Sequence, residues 1–187
     1  MKYIIINSST NFEYRVDLIY EYLTRKGNDV TVLASDFVHS EKKKRTETRH
    51  SYELINTIPY KKNLSISRLL SHYDFSKKAY KRIKDEESDV LYLMIPQNSN
   101  AKIGKWYKKR HPDTKIVMDI VDMWPESLPI KYTDRWPFTI WADIRNKNLK
   151  YADVIVTECD YYQEKLKKWL QGKKTVTIPW LKRYRAW

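Results

Sequence analysis

A doubly wound α/β sheet of about seven mainly parallel strands, with helices on both faces, is the fold class this sequence predicts, and three observations predict it. Apolar runs of four to six residues, rich in isoleucine and valine, recur along the chain. Segments whose apolar residues repeat at helical spacing lie between them. Only Gly27, Gly104 and Gly172 punctuate the 187 residues and no proline- or serine-rich linker divides them, so residues 1–187 read as one domain.

The strands come first. Unbroken β-branched runs suit strands buried on both faces. They are "YIIIN" (3–7), "DVTVLAS" (29–35), "DVLYLMIP" (89–96), "KIVMDIV" (115–121), "DVIVT" (153–157) and "TVTIP" (175–179), with a weaker one in "YELINTIPY" (52–60). The first helix is expected over 14–27, where Val16, Ile19, Tyr20 and Leu23 share a face and Gly27 stands at the C-cap. The same periodicity places helices over 65–87, 100–111, 138–152 and 161–172. Strand and helix alternate throughout, which is the order of a Rossmann-like sheet.

Composition excludes more than it selects. Cys159 is alone, so no disulfide framework exists. The start, "MKYIIINSSTNF", has too short an apolar run for a signal peptide or a membrane span, so a cytoplasmic protein is expected. A net charge of +13 attracts polyanions of any kind, including nucleic acid, anionic lipid headgroups and sugar nucleotides. The basic runs, such as "EKKKRTETRH" (41–50), "KKAYKRIK" (77–84) and "KLKKWLQGKK" (165–174), fall between the apolar runs and read as solvated faces.

In such a sheet the ligand crevice lies beyond the carboxyl ends of the strands. The loops there read "NSSTNFEYR" (7–15), "SDFVHS" (35–40), "PQNSN" (96–100), "DMWPES" (122–127) and "ECDYY" (158–162). The first has no glycine, which speaks against a dinucleotide fingerprint or a P-loop. His39, His50, His72 and His111 are far apart and unpaired with Cys159, so neither a metal nor a cofactor is expected. What the loops do offer is carboxylates beside an indole. Asp122 and Glu126 can hold or deprotonate hydroxyls, and Trp124 can pack on the C–H face of a sugar ring. Asp119, inside its strand, needs a buried partner, either Arg145 or a backbone donor. Glu126 suits a helix cap equally, and Asp160 reads as a cap for the last helix. Asn7, Ser8, Ser9, Asn11 and Arg15 form either a cleft-facing binding loop or a polar cap, and Asn98 and Ser127 join the candidate binding residues.

"IVMDIVDMWPESL" (116–128), followed by "KYADVIVTECDYYQEKL" (150–166), resembles the amino-terminal domain of group 1 (GT-B fold) glycosyltransferases of the polysaccharide-building kind. The likeness covers nearly the whole chain. It implies one half of a two-domain enzyme, binding a glycan or lipid-linked acceptor, while the donor half, which binds a nucleotide-sugar, is absent from these 187 residues. The family often carries a histidine before the aspartate of this segment; Val121 stands there, so no role passes to it. Two alternatives accompany this expectation. One is a noncatalytic subunit at an anionic membrane surface, using the basic helices with Trp106, Tyr107 and Trp169 and the tail "LKRYRAW" (181–187). The other is a basic nucleic-acid-binding protein, made unlikely by the acidic crevice and by the lack of a recognition motif.

Overall fold

A computed structural model of the chain describes residues 1–50, 52–129, 131–136, 138–170 and 172–180. Seven strands form one parallel sheet among these residues: β1 Lys2–Asn7, β2 Asp29–Ser35, β3 Glu53–Ile55, β4 Val90–Met94, β5 Lys115–Ile120, β6 Val154–Thr157 and β7 Lys174–Thr177. Their order is β3-β2-β1-β4-β5-β6-β7, and every pairing is parallel. Winding therefore reverses between β1 and β4, and a crevice opens at that switch point. Five helices connect the strands: α1 Glu13–Arg25, α2 Ile66–Ile83, α3 Asn100–Arg110, α4 Phe138–Asn146 and α5 Asp160–Leu166.

The sheet is buried because its strands are apolar on both faces. In β1, Ile4, Ile5 and Ile6 are all fully buried. Ile4 and Ile6 point into the cluster formed with Phe75 and Ala79 of α2 and Ile103 and Tyr107 of α3, whereas Ile5 points the other way, toward Val16 of α1. Each such side chain contributes about 1.5–3 kcal/mol. The helices are shared unequally: the α1 stripe of Val16, Ile19, Tyr20 and Leu23 serves one face, and α2, α3 and α5 line the other. Gly104 lets α3 lie close on the sheet, since a Cβ there would stand 2.4 Å from Met118 Cε and 3.2 Å from Leu93 Cδ1. Gly27 ends α1 at a φ of +78°, a conformation that costs other residues more.

Several expected elements are shorter than their apolar patterns. The weak strand over 52–60 pairs only through Glu53–Ile55, as befits an edge. The helix expected over 138–152 ends at Asn146 and resumes as a single turn at Leu149–Tyr151, and the one over 161–172 gives way to such a turn at Lys167–Trp169. The basic stretch after β2 folds back as a small antiparallel hairpin, Phe37–Val38 with Lys43–Lys44. Of the aromatics expected at a headgroup surface, Tyr107 is fully buried in the core. The tail 181–187 lies outside the described residues.

One buried ion pair crosses the whole arrangement. Arg15, early in α1, donates from Nε to Asp119 Oδ2 at 2.7 Å and from Nη2 to Oδ1 at 3.1 Å, joining the helix to β5. Tyr92 of β4 donates its hydroxyl to Asp119 Oδ2 at 2.6 Å, and Arg15 Nη1 donates to the carbonyl of Ile178, just after β7, at 3.1 Å. Burial works against the Arg15 charge, but the bond and charge of Asp119 outweigh it and hold its pKa above the ordinary value. Burial, then Asp119, keeps the Tyr92 phenol protonated far above the usual range. Arg145, the partner suggested for Asp119 from sequence, is elsewhere: α4 carries it to Glu126.

Removing one member of a buried pair strands the other charge. Asp119→Ala is expected to lower unfolding stability by about 3–5 kcal/mol in urea titrations. The double change Arg15→Met with Asp119→Leu should recover much of the loss; a single variant as stable as the parent would show that the pair holds nothing together.

Candidate functional site

The crevice at the switch point is built by the ends of five strands and one helix, and encloses about 150 Å³. Ser8, Ser9, Asn11 and Phe12 follow β1; Ser35, Phe37 and His39 close and follow β2; Thr57 and Tyr60 follow β3; Pro96 and Gln97 follow β4; and Asp122 follows β5. From α2 come Arg68, Ser71 and His72. Ser65 caps that helix, its hydroxyl accepting from the Arg68 backbone N–H at 3.2 Å, which sets Arg68 on the first turn and His72 one turn later.

Four of the residues singled out in the sequence meet in this crevice: Ser8, Ser9, Asn11 and Asp122. Asp122 is half-buried, and its Oδ1 accepts from Ser127 Oγ at 2.7 Å, so Ser127 acts on the crevice through the carboxylate it orients. Asp122 also faces a carboxylate that sequence reasoning passed over. Glu158, at the end of β6, has its pKa raised by burial, against the opposing effect of Arg15 and with the help of Asp122.

The remaining candidates are engaged inside the protein. Arg15 is committed to Asp119 rather than to the crevice wall. Asn7 is buried, with Oδ1 accepting from the Ser9 backbone N–H at 3.1 Å, a local turn that caps neither the 3-10 turn that follows nor α1. Asn98 donates from Nδ2 to the carbonyls of Trp124 at 2.8 Å and Trp141 at 2.7 Å, clamping two segments together. Trp124, expected to offer an open face, is buried and stacked on Trp141 with ring centroids 4.8 Å apart. Glu126 accepts from Arg145 Nη2 at 2.5 Å, and that arginine has no exposed surface. Asp160 opens α5 but does not cap it; its Oδ1 accepts from Thr177 Oγ1, tying α5 to β7.

The wall that sequence reasoning missed is cationic and aromatic. Arg68 Nε donates to His72 Nε2 at 3.3 Å, which leaves the imidazole proton on Nδ1. His39 Nδ1 accepts from the Tyr60 hydroxyl at 2.5 Å and from Lys42 Nζ at 3.2 Å, so its proton is on Nε2. Burial, then Arg68 and Lys42, depress the His39 pKa to about 4. Burial, Arg68 and His39 together keep His72 well below the ordinary value. Both rings are therefore neutral near pH 7. The available signal was the Arg68–His72 spacing of four residues, which puts both on one face of α2.

No group of three or more His, Cys, Asp or Glu side chains among the described residues is placed to hold a metal ion. No described helix is long and apolar enough to cross a membrane.

No family model matches the sequence, and no curated protein matches it. Solved structures do. The chain is similar to an alpha-glucosyltransferase in complex with UDP, with a TM-score of 0.51 and 16% identity over 91% of this chain and 39% of the other. MurG from Acinetobacter baumannii matches with a TM-score of 0.42 and 10% identity over 97% of this chain and 68% of that one. The glucosyltransferase shares the Rossmann-like α/β fold, and this chain spans about two fifths of its length.

Neutral histidines make stability depend on pH. Above about pH 6.5 they are uncharged both folded and unfolded; as pH falls from there toward 4, the unfolded chain takes up protons that the folded crevice refuses, so stability is lost. The melting temperature is expected to fall by several degrees between pH 7 and pH 5, at about 2–4 °C per kcal/mol. The double variant His39→Gln, His72→Gln should flatten that dependence; an unchanged slope in differential scanning calorimetry would mean the rings are not held neutral.

Proposed function

We propose that the chain is the acceptor-binding, amino-terminal half of a GT-B glycosyltransferase, which moves a sugar from a nucleotide-sugar to a glycan or lipid-linked acceptor in cell-surface polysaccharide synthesis. A second half binds the donor and completes the site. The observation that carries this reading is the polar crevice at the switch point of the sheet, with Asp122, oriented by Ser127, as the one lining carboxylate among the described residues. The fold it shares with the glucosyltransferase supports it.

In this reading the acceptor hydroxyl donates to Asp122. Oδ1 is already engaged with Ser127, which leaves Oδ2 as the acceptor among the bonds of the described residues. The carboxylate holds the hydroxyl toward the anomeric carbon and takes its proton as the new C–O bond forms and the nucleotide departs. Polar groups from the β1 loop, Ser8, Ser9 and Asn11, orient the rest of the acceptor. Glu126 supports the loop instead, through its bond to the fully buried Arg145.

Peripheral attachment to an anionic membrane fits the outer surfaces of α2 and α4 rather than the helices carrying Trp106, Tyr107 and Trp169. Ile66, Leu70 and Tyr73 of α2 and Ile140 of α4 are exposed, and Lys77 and Lys102 both approach the Tyr73 ring. An apolar stripe edged by lysines suits the headgroup region, where each base is worth about 1 kcal/mol.

Two measurements test these assignments. With a donor half supplied, Asp122→Asn should lower kcat by about 10²–10⁴ and leave the melting temperature in place, as expected for a lost acid–base group. Glu126→Gln should do the opposite, costing about 1.5–3 kcal/mol of stability by weakening a bond to a buried charge, with near-normal kcat in the folded fraction. A stable, fully active Asp122→Asn enzyme would end the assignment. For the membrane surface, the chain should co-sediment with phosphatidylglycerol vesicles at low salt and release at high salt, and Leu70→Glu with Tyr73→Glu should abolish this; equal recovery with neutral vesicles or with the variant would reject it.

A further inference from the structure

We infer that the crevice binds a phosphoryl group on Arg68, so that the acceptor it takes is a phosphorylated sugar. This rests on the acceptor-side reading above and adds the chemical class of the ligand. Among the arginines of the described residues, Arg15, Arg45, Arg49, Arg82, Arg110 and Arg145 each pair with a carboxylate, whereas Arg25, Arg68 and Arg135 pair with none, and of these three it is Arg68 that lines the crevice. Its guanidinium is instead held by neutral groups. Nε donates to His72, Nη1 donates to the Asn63 carbonyl at 2.9 Å, and the Tyr60 and Trp124 rings lie 6.0 and 5.1 Å from its centre. Lys42 stands at the same wall, with Nζ 4.9 Å from the Tyr60 ring centroid, and burial and then Arg68 lower its pKa. Two cations thus share a half-buried wall with no counter-ion among the described residues.

A second observation points to a ligand at the same place. Ser71 is 1% exposed, lines the crevice beside Arg68, and its hydroxyl has no hydrogen-bond partner among the described residues. Buried hydroxyls are ordinarily satisfied. An anion on Arg68 would supply the acceptor for this hydroxyl and the charge that Arg68 lacks. The planar fork of a guanidinium suits phosphoryl oxygens, and Arg68 Nη2 has no partner among the described residues. Asp122 lies in the same crevice and would repel a phosphate placed against it. The ligand must therefore be polar at both ends in different ways, with a phosphoryl group at Arg68 and a hydroxyl at Asp122. A sugar phosphate meets that demand, either free or as the headgroup of a lipid.

The 187-residue chain can be titrated directly, without a donor half. Glucose 1-phosphate, inorganic phosphate and glucose are added in turn while the imidazole signals of His39 and His72 are followed by NMR and heats by calorimetry. Glucose 1-phosphate should move both imidazoles and bind at least about tenfold tighter than glucose, the size of one charge-assisted hydrogen bond. Arg68→Gln should remove that advantage, and Arg68→Lys should retain part of it. Equal binding of glucose and glucose 1-phosphate, or undiminished binding by Arg68→Gln, overturns the site. If Arg68→Gln loses its near-ultraviolet dichroism, the Arg68→Lys and parent titrations decide, because unmoved imidazoles in the parent also overturn it. Polyprenyl-phosphate-linked glucose in phosphatidylcholine vesicles separates the two sources: tighter binding there than in solution identifies a lipid headgroup, and equal binding a free sugar phosphate. Phosphate-dependent binding in an enzyme that transfers no sugar would keep the site and sink the transferase reading, whereas transfer indifferent to Arg68→Gln would do the reverse.

Discussion

The bond between Arg15 and Asp119 is the constraint on which the carboxyl end of the sheet depends. A carboxylate with no solvent exposure in the fifth strand must be satisfied where it stands, and the guanidinium of the first helix, the hydroxyl of Tyr92 and nothing from bulk water do so. The geometry is bidentate, which offsets the desolvation of two charges better than a single bond would. Because the arginine also reaches the carbonyl of Ile178, one cluster holds α1, β4, β5 and the segment after β7 in a single register. The loop after β5 leaves the sheet beside this cluster, and the loop after β1 runs into α1, which carries Arg15. Their spacing, and hence the width of the crevice, follows from a buried ion pair that never touches the crevice itself.

Three acids close together in sequence end in three environments. Asp119 is inside the sheet and fully paired, Glu126 is partly exposed and holds the buried Arg145, and Asp122 alone lines the crevice with an oxygen to spare. Their side chains are chemically alike. What separates them is direction: the pleat turns Asp119 toward α1, the strand end frees Asp122, and the turn beyond sends Glu126 to α4. Two of the three have a dedicated arginine, while Asp122 bonds Ser127 and lines the crevice.

The basic residues sort by the same principle. Lys77, Lys78 and Lys81 are exposed on the outer face of α2, as their run between apolar segments implies, and Lys77 stands by the exposed Tyr73 ring. Arg68 is on that helix too, yet its side chain turns inward among Tyr60, His72 and Trp124. Reading the crevice loops alone gave a polar cleft with little positive charge. Adding α2 changes it into a cleft with an acid on one wall and a cation on another, which is a different chemistry.

The sequence by itself determined the layered architecture, because burial on two faces demands unbroken β-branched runs and burial on one face demands helical spacing, and both patterns are local. It also determined which loops end at the crevice: with strands parallel, every strand's carboxyl end falls on the same side. It brought Ser8, Ser9, Asn11 and Asp122 to one crevice for that reason. Partnership was decided only by the tertiary structure. Arg15 and Asp119 are 104 residues apart, and the sequence suggested Arg145 or a backbone donor for Asp119, not Arg15. Charge pairing, stacking of Trp124 on Trp141 and the inward turn of Arg68 depend on distances across elements, and no local pattern carries those distances.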